Sequence, residues 1–137
     1  MKQADKMTPE ERERCKSALL MQLMGHIGQS RRIGMGELYS AVFGRPWANR
    51  INDTRALRRL ISELRREGAP IVSDACRESG GYYLASAGSE LAGYCGRLRR
   101  RALGILVQEA CMRKISMGEL FGQIQIEFTG EAAGGNG

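Results

Sequence analysis

The run Asp53-Thr54-Arg55-Ala56-Leu57-Arg58-Arg59-Leu60-Ile61-Ser62-Glu63-Leu64-Arg65-Arg66-Glu67-Gly68 decides the fold, together with the stretch from Ala69 to Ala85. Leu57, Leu60, Ile61 and Leu64 fall at i, i+3, i+4 and i+7, which makes one apolar stripe along a helix. The rest of its surface is Thr54, Arg55, Arg58, Arg59, Ser62, Arg65 and Arg66. Asp53 is the expected N-cap, with Asn52 as the alternative, and Gly68 is the expected C-terminal stop. Pro70-Ile71-Val72-Ser73 then reads as a strand, residues 74–80 as a polar tip, and Gly81-Tyr82-Tyr83-Leu84-Ala85 as the returning strand of a hairpin.

Two helices are expected upstream. Thr8-Pro9-Glu10-Glu11 is a capping box with Pro at the first helical position. The early acids Glu10, Glu11 and Glu13 suit the positive end of a helix. Cys15, Leu19, Leu20, Leu23, Met24 and Ile27 follow helical spacing, with a stop near Gly25 or Gly28 and then a basic turn, Ser30-Arg31-Arg32. A short second helix is predicted over Met35–Phe43, with Leu38, Tyr39, Val42 and Phe43 inward and Gly44 as its stop. Arg45-Pro46-Trp47-Ala48-Asn49-Arg50-Ile51-Asn52 reads as irregular, since Pro46 disfavours helix at Arg45. Trp47 and Ile51 are expected to anchor this stretch on the core.

Downstream, Ser86 or Ser89 is expected to cap a long helix through about Arg113, with Leu91, Tyr94, Leu98, Ala102, Ile105 and Leu106 among its apolar positions. Residues 115–128 begin as a short helix, and Ile124, Ile126 and Phe128 then alternate like a strand. The Gly- and Ala-rich residues 129–137 read as a disordered tail. The expected class is mainly α with a small β-hairpin, divided into residues 8–85, a helical extension at 86–128, and the tail.

At 137 residues the chain is about one domain long, too short for a TIM barrel, a kinase or a two-domain dehydrogenase. Lys and Arg number 21 against 15 Asp and Glu, a net charge of +6, so polyanions are the first partners to consider. Aromatics at 6% leave little for a base-stacking surface. No apolar run reaches the ~18 residues of a membrane helix, and residues 1–6 do not read as a secretory signal, so a cytoplasmic setting without membrane partners is expected. Cys15, Cys76, Cys95 and Cys111 include no close pair, and the single His26 is remote from them in sequence, so no metal site or cofactor is expected. Nor is there a phosphate loop or a nucleophile beside a base, so an enzyme is not expected.

Three helices followed by a hairpin is the order of a winged helix-turn-helix. Here the chain resembles DNA-binding domains of the biotin-operon-repressor type, a kind frequent among phage and prophage regulators. The resemblance covers roughly residues 10–85. It rests on the Arg-rich third helix ending in Leu64-Arg65-Arg66-Glu67-Gly68, the Pro70-Ile71 strand, and Gly80-Gly81-Tyr82. It implies a bacterial or phage transcription regulator whose third helix lies in the major groove of duplex DNA, with Thr54, Arg55, Arg58, Arg59 and Ser62 as the reading positions. Arg59, nearest the buried stripe, suits a phosphate. Arg50, before the helix, would hold backbone, and Arg77, near the wing tip, backbone or minor groove.

Other readings compete with this one. Arg-rich helix faces are often plain solvated surface, and Arg55, Arg59 and Arg66 could pair with Glu63 and Asp53. The chain could instead be a protein-binding winged helix, such as a phage-encoded adaptor or an inhibitor of a host complex. The connection from Gly44 to Asp53 is longer than the family's tight turn. A second basic cluster stands at Arg97, Arg99, Arg100 and Arg101. Leu91, Leu98, Ile105 and Met112 form a partial heptad, which would serve as a homodimer seam on the 89–113 helix or pack on the first helix. Finally, Arg32-Ile33-Gly34-Met35-Gly36-Glu37-Leu38-Tyr39 is echoed by Lys114-Ile115-Ser116-Met117-Gly118-Glu119-Leu120-Phe121. A half-sized second helix-turn-helix would explain the echo, and so would chance.

Overall fold

The computed structural model describes residues 7–75 and 80–136. Among them are α1 (Pro9–Leu23), a 3₁₀ turn at Gln29–Arg31, α2 (Met35–Phe43), α3 (Arg50–Arg66), β1 (Ile71–Asp74), β2 (Gly81–Leu84), α4 (Gly88–Arg113) and α5 (Met117–Asn136). The protein is thus mainly helical with a small antiparallel hairpin. Its contacts divide it into two compact units, Met1–Ala92 and Gly93–Gly137, a boundary inside α4 and past the 85/86 division expected from the sequence. No helix among the described residues is long and apolar enough to cross a membrane.

In the N-terminal unit the expected local signals hold. The Thr8 hydroxyl accepts from the Glu11 N–H at 3.1 Å, and the Glu11 carboxylate accepts from the Thr8 N–H at 3.1 Å. This closes the capping box at α1. Leu19 and Leu23 of α1 are buried, whereas Met24 and Ile27, past the helix, are exposed. α2 ends where Gly44 takes a left-handed φ of 68° and donates to Ser40 at 2.9 Å. The core gathers Leu19, Leu23, Leu38, Tyr39, Leu57, Leu60, Ile61, Leu64, Ile71 and Tyr82. Four of these come from the apolar stripe of α3. β1 and β2 pair with Ile71 opposite Leu84 and Val72 opposite Tyr83.

β2 is also paired on its other side, which periodicity does not reveal. Tyr82 donates to the carbonyl of Ile33 at 2.8 Å, and Ile33 donates back to Tyr82 at 2.9 Å. Leu84 donates to His26 at 3.0 Å, and Gly28 donates to Leu84 at 2.8 Å. The segment between α1 and α2 therefore works as a third rail of the sheet. Gly81 is required by this arrangement: a Cβ there would stand 2.1 Å from the Ile33 carbonyl oxygen.

Several expectations are corrected. α3 starts at Arg50 with Asn49 as N-cap, not at Asp53 or Asn52; the Asn49 side chain accepts from the Asn52 N–H at 3.0 Å. The connection from α2 is consequently residues 44–49, shorter than the sequence suggested. Neither Ser86 nor Ser89 is the residue directly before α4. Glu90 in the first turn instead accepts from the Ser86 N–H at 2.7 Å and its hydroxyl at 2.9 Å. Residues 124–128, expected as a strand, lie inside α5, because Phe121, Ile124 and Phe128 also satisfy helical spacing. The helix continues through Asn136, within the tail expected to be disordered.

In the C-terminal unit, α4 ends in a Schellman motif. Ile115 donates to Ala110 at 3.0 Å and Lys114 to Cys111 at 3.2 Å. Lys114 holds φ at 58°, a place usually taken by glycine. The echoed sequences also share their structure. Each starts a helix at its Met, with Leu38 donating to Gly34 at 2.9 Å and Leu120 to Ser116 at 3.0 Å, and both leucines are buried. They diverge one residue later, since Tyr39 is buried and Phe121 is exposed.

Two substitutions test these points. Gly81→Ala should lower the stability of the N-terminal unit by about 1–3 kcal/mol in urea unfolding, because the backbone at Ile33 must move. Lys114→Gly should raise the stability of the C-terminal unit by about 0.5–1 kcal/mol, read from helix melting by circular dichroism.

Candidate nucleic-acid interface

α3 buries Ala56, Leu57, Leu60, Ile61 and Leu64 on one side. Its other side carries Arg55, Arg58, Arg59, Ser62 and Arg66, all exposed. These residues line an open groove of about 780 Å³, joined by Arg50, Ile51 and Thr54 from the start of α3 and by Met7 and Arg12 from the start of α1. The helix as formed holds six Arg against Asp53 and Glu63.

The two acids of α3 are engaged elsewhere. Glu63 takes Arg12 of α1 at 3.3 Å and Lys16 at 3.9 Å. Lys16, buried against α3, also pairs with Glu67 and, at 3.1 Å, with Glu13. The hydrogen bonds that Lys16 donates to Glu67 and Glu13 outweigh burial and hold its ammonium above the ordinary lysine value, so it stays charged. Asp53 turns back into the unit. Its Oδ1 accepts from the Tyr39 hydroxyl at 3.0 Å, and its Oδ2 accepts from the Ala48 and Asn49 N–H groups at 3.1 and 3.0 Å. The plainer alternative, in which Asp53 neutralises arginines on the outer face, does not match this arrangement. Arg55, Arg58 and Arg66 make no hydrogen bond or ion pair among the described residues.

The same network seats the start of α3. Arg45 donates through Nε to the Tyr39 hydroxyl at 3.0 Å and lies over the Phe43 ring at 5.5 Å. Trp47 donates through Nε1 to the Thr54 hydroxyl at 3.3 Å, and the Arg50 guanidinium lies 5.2 Å over the indole. Burial opposes the Asp53 charge, but the Asn49 N–H, the Tyr39 hydroxyl, the Ala48 N–H and the nearby Arg45 together outweigh it. The carboxyl is held below its ordinary value. Arg65 faces away from the groove and ties α3 to β1 by donating through Nε to the Ile71 carbonyl at 2.9 Å.

Of the positions expected to touch a partner, Arg55, Arg58, Arg59 and Ser62 share the outer face of α3. Arg50 sits at its first turn, stacked on Trp47, and Thr54 is half-buried, with its hydroxyl engaged by Trp47. Arg77 lies outside the described residues. Ile51 is corrected: it does not anchor on the core but is 71% exposed. Once α3 starts at Arg50, Ile51 stands at i to Arg55, Arg58 and Ser62 at i+4, i+7 and i+11, on the helix face opposite the core. An irregular 45–52 stretch would hide that relation. Lys16 is a further residue that sequence reasoning does not single out. Glu63 of α3 and Glu67, one turn on at its C-cap, are the signal that a cation faces them.

Compared with known proteins, the chain matches no family model, and no curated protein or solved structure gives a significant match.

The Asp53 network predicts an acid-labile N-terminal unit. A carboxyl whose folded value is depressed adds stability that is complete above its unfolded value and is lost as pH falls through the folded one. The thermal midpoint should therefore hold from about pH 7 to about pH 5 and decline below that. Asp53→Asn should start lower and decline less, a comparison made by calorimetry.

Proposed function

We propose that the chain binds duplex DNA, with α3 laid in the major groove and the β1–β2 hairpin as a wing beside it. The observation that carries this reading is the outer face of α3: an exposed arginine surface whose neighbouring acids are spent on Lys16, Arg12 and the loop before the helix. A helix fits the major groove, and its N-terminal half reaches base edges there. In this chain that half is Arg50, Ile51, Thr54, Arg55 and Arg58.

Roles follow from geometry and chemistry. Arg55 and Arg58, without partners among the described residues, have the forked donors that match the two acceptors of guanine. Ser62 bonds either base or backbone. Arg59 and Arg66, farther along α3, suit phosphates, as does Arg50 on its indole platform. Ile51 offers an apolar end to the thymine methyl group, the one apolar mark in the major groove. The resemblance to winged-helix regulators supports a role in bacterial or phage transcription.

Selection from random duplex DNA with the full chain tests this reading. The selected duplexes should share a sequence, and affinity should fall with salt at a log–log slope of about −0.9 per phosphate neutralised. Arg58→Ala should weaken binding to the selected duplex by about 1–3 kcal/mol and relax one base position. Arg66→Ala should weaken all duplexes alike and flatten the salt slope by about 1. Absence of a preferred sequence, or binding indifferent to Arg55→Ala and Arg58→Ala, would refute base reading by α3. It would favour the protein-binding alternative, an adaptor or inhibitor of a host complex.

A further inference from the structure

From Leu91 to Gln108 the chain has no acid, yet Arg97, Arg99, Arg100 and Arg101 crowd this part of α4. The acids at either end are engaged: Glu90 accepts from the Ser86 N–H at 2.7 Å, and Glu109 pairs with Arg113 at 2.8 Å. Arg97, Arg100 and Arg101 fall at i, i+3 and i+4 on one face, and Arg99 lies about 160° round the helix from Arg97. Like charges at that spacing repel and weaken a helix. All three are exposed, and Arg100 and Arg101 make no hydrogen bond or ion pair among the described residues. The Arg97 guanidinium lies 5.6 Å over the ring of buried Tyr94, which holds it in place. Gly93 and Gly104 keep the face low at both ends of the arginines, with nothing within 4 Å of where a Cβ would stand on either.

We propose that this face of α4 is a second contact with duplex DNA, one that holds the sugar–phosphate backbone and reads no sequence. It rests on the reading that the chain binds duplex DNA, and not on base reading by α3.

Charge density selects the occupant. Arg97 and Arg101 are about 6 Å apart along the helix axis, and the face carries its three cations in that length. Duplex DNA carries one anion per ~1.7 Å of its own axis, a density of the same order. Arginine's forked donors take two phosphate oxygens at once, and such contacts carry no base information. Bound phosphates would also relieve the repulsion that the chain itself leaves unrelieved. A membrane surface suits this helix less well. A helix lying among lipid headgroups needs its cations on one side and its apolar residues on the other. Here Arg99 stands on the side away from Arg97, between Leu103 and Leu106, while Leu98 and Val107 point in opposite directions. No single apolar side is left to sink into lipid.

Salt titration of the full chain on random-sequence duplex reads this contact. Replacing Arg97, Arg100 and Arg101 together by Gln should flatten the log–log salt slope by about 2.7, at about 0.9 per phosphate. Gln holds a helix about as well as Arg, so circular dichroism should be unchanged. Arg100→Gln alone should flatten the slope by about 0.9, whereas Arg99→Gln, on the opposite side, should leave it as it is. The sequence preferred in selection should survive the triple variant. A slope unchanged in the triple variant, or flattened equally by Arg99→Gln and Arg100→Gln, would overturn the α4 contact and leave base reading by α3 standing. Absence of a preferred sequence, with the slope still set by Arg97, Arg100 and Arg101, would count against the α3 reading alone. A chain that binds no duplex would overturn both. Capture by vesicles containing phosphatidylserine that is lost in the triple variant, with duplex binding unchanged, would overturn the contact in favour of a membrane surface.

Discussion

Ala56, Leu57, Leu60, Ile61 and Leu64 grip one side of α3, and everything the other side does depends on that grip. A helix bearing six arginines repels itself; it stays folded here because its apolar stripe is buried among α1, α2 and β1. The grip is completed by charges. Lys16 reaches from α1 to Glu67 and Glu63, and Arg12 to Glu63, so the acids that would dilute the arginine face are drawn to the seam with α1. The cations that remain on the outside are therefore the consequence of how the inside is neutralised.

A second constraint fixes where α3 begins. Asp53 accepts three hydrogen bonds, two from the chain just before the helix and one from the Tyr39 hydroxyl, whose own oxygen takes Arg45. The carboxylate thereby closes the loop 44–49 over the end of α2. Had Asp53 been the cap, the three residues before it would have stayed in the loop. With Asn49 as the cap they become the first turn of α3, and this brings Arg50 and Ile51 onto the helix.

The features legible in the sequence are local ones. The Thr8 capping box, the Leu57–Leu64 spacing, the Gly44 stop and the two short strands each depend on residues within one or two turns of each other, and all are found. The features that were not legible depend on distance. The pairing of Ile33 with Tyr82 spans 49 positions, and nothing near either residue announces it. The cap at Asn49 is hidden because Asp53 is an equally good cap by type, and the Tyr39 hydroxyl with the Ala48 and Asn49 N–H groups decides between them by occupying Asp53. Residues 124–128 satisfy two periodicities at once, and length decides for helix. The site is legible in kind, as an arginine face. Its make-up is only partly so: Thr54 is taken by Trp47, and Ile51 takes a place among the arginines.

Trp47 is the single tryptophan of the chain. Its indole lies under Arg50, donates to Thr54, and packs so close to Gly36 that a Cβ there would stand 2.6 Å from the ring. The chain thus has one indole probe, and it sits at the junction between α2 and the first turn of α3. Its emission reports on the surroundings of that junction without any label. A ligand that drew Arg50 off the ring would change the colour and quenching of the only indole the molecule has.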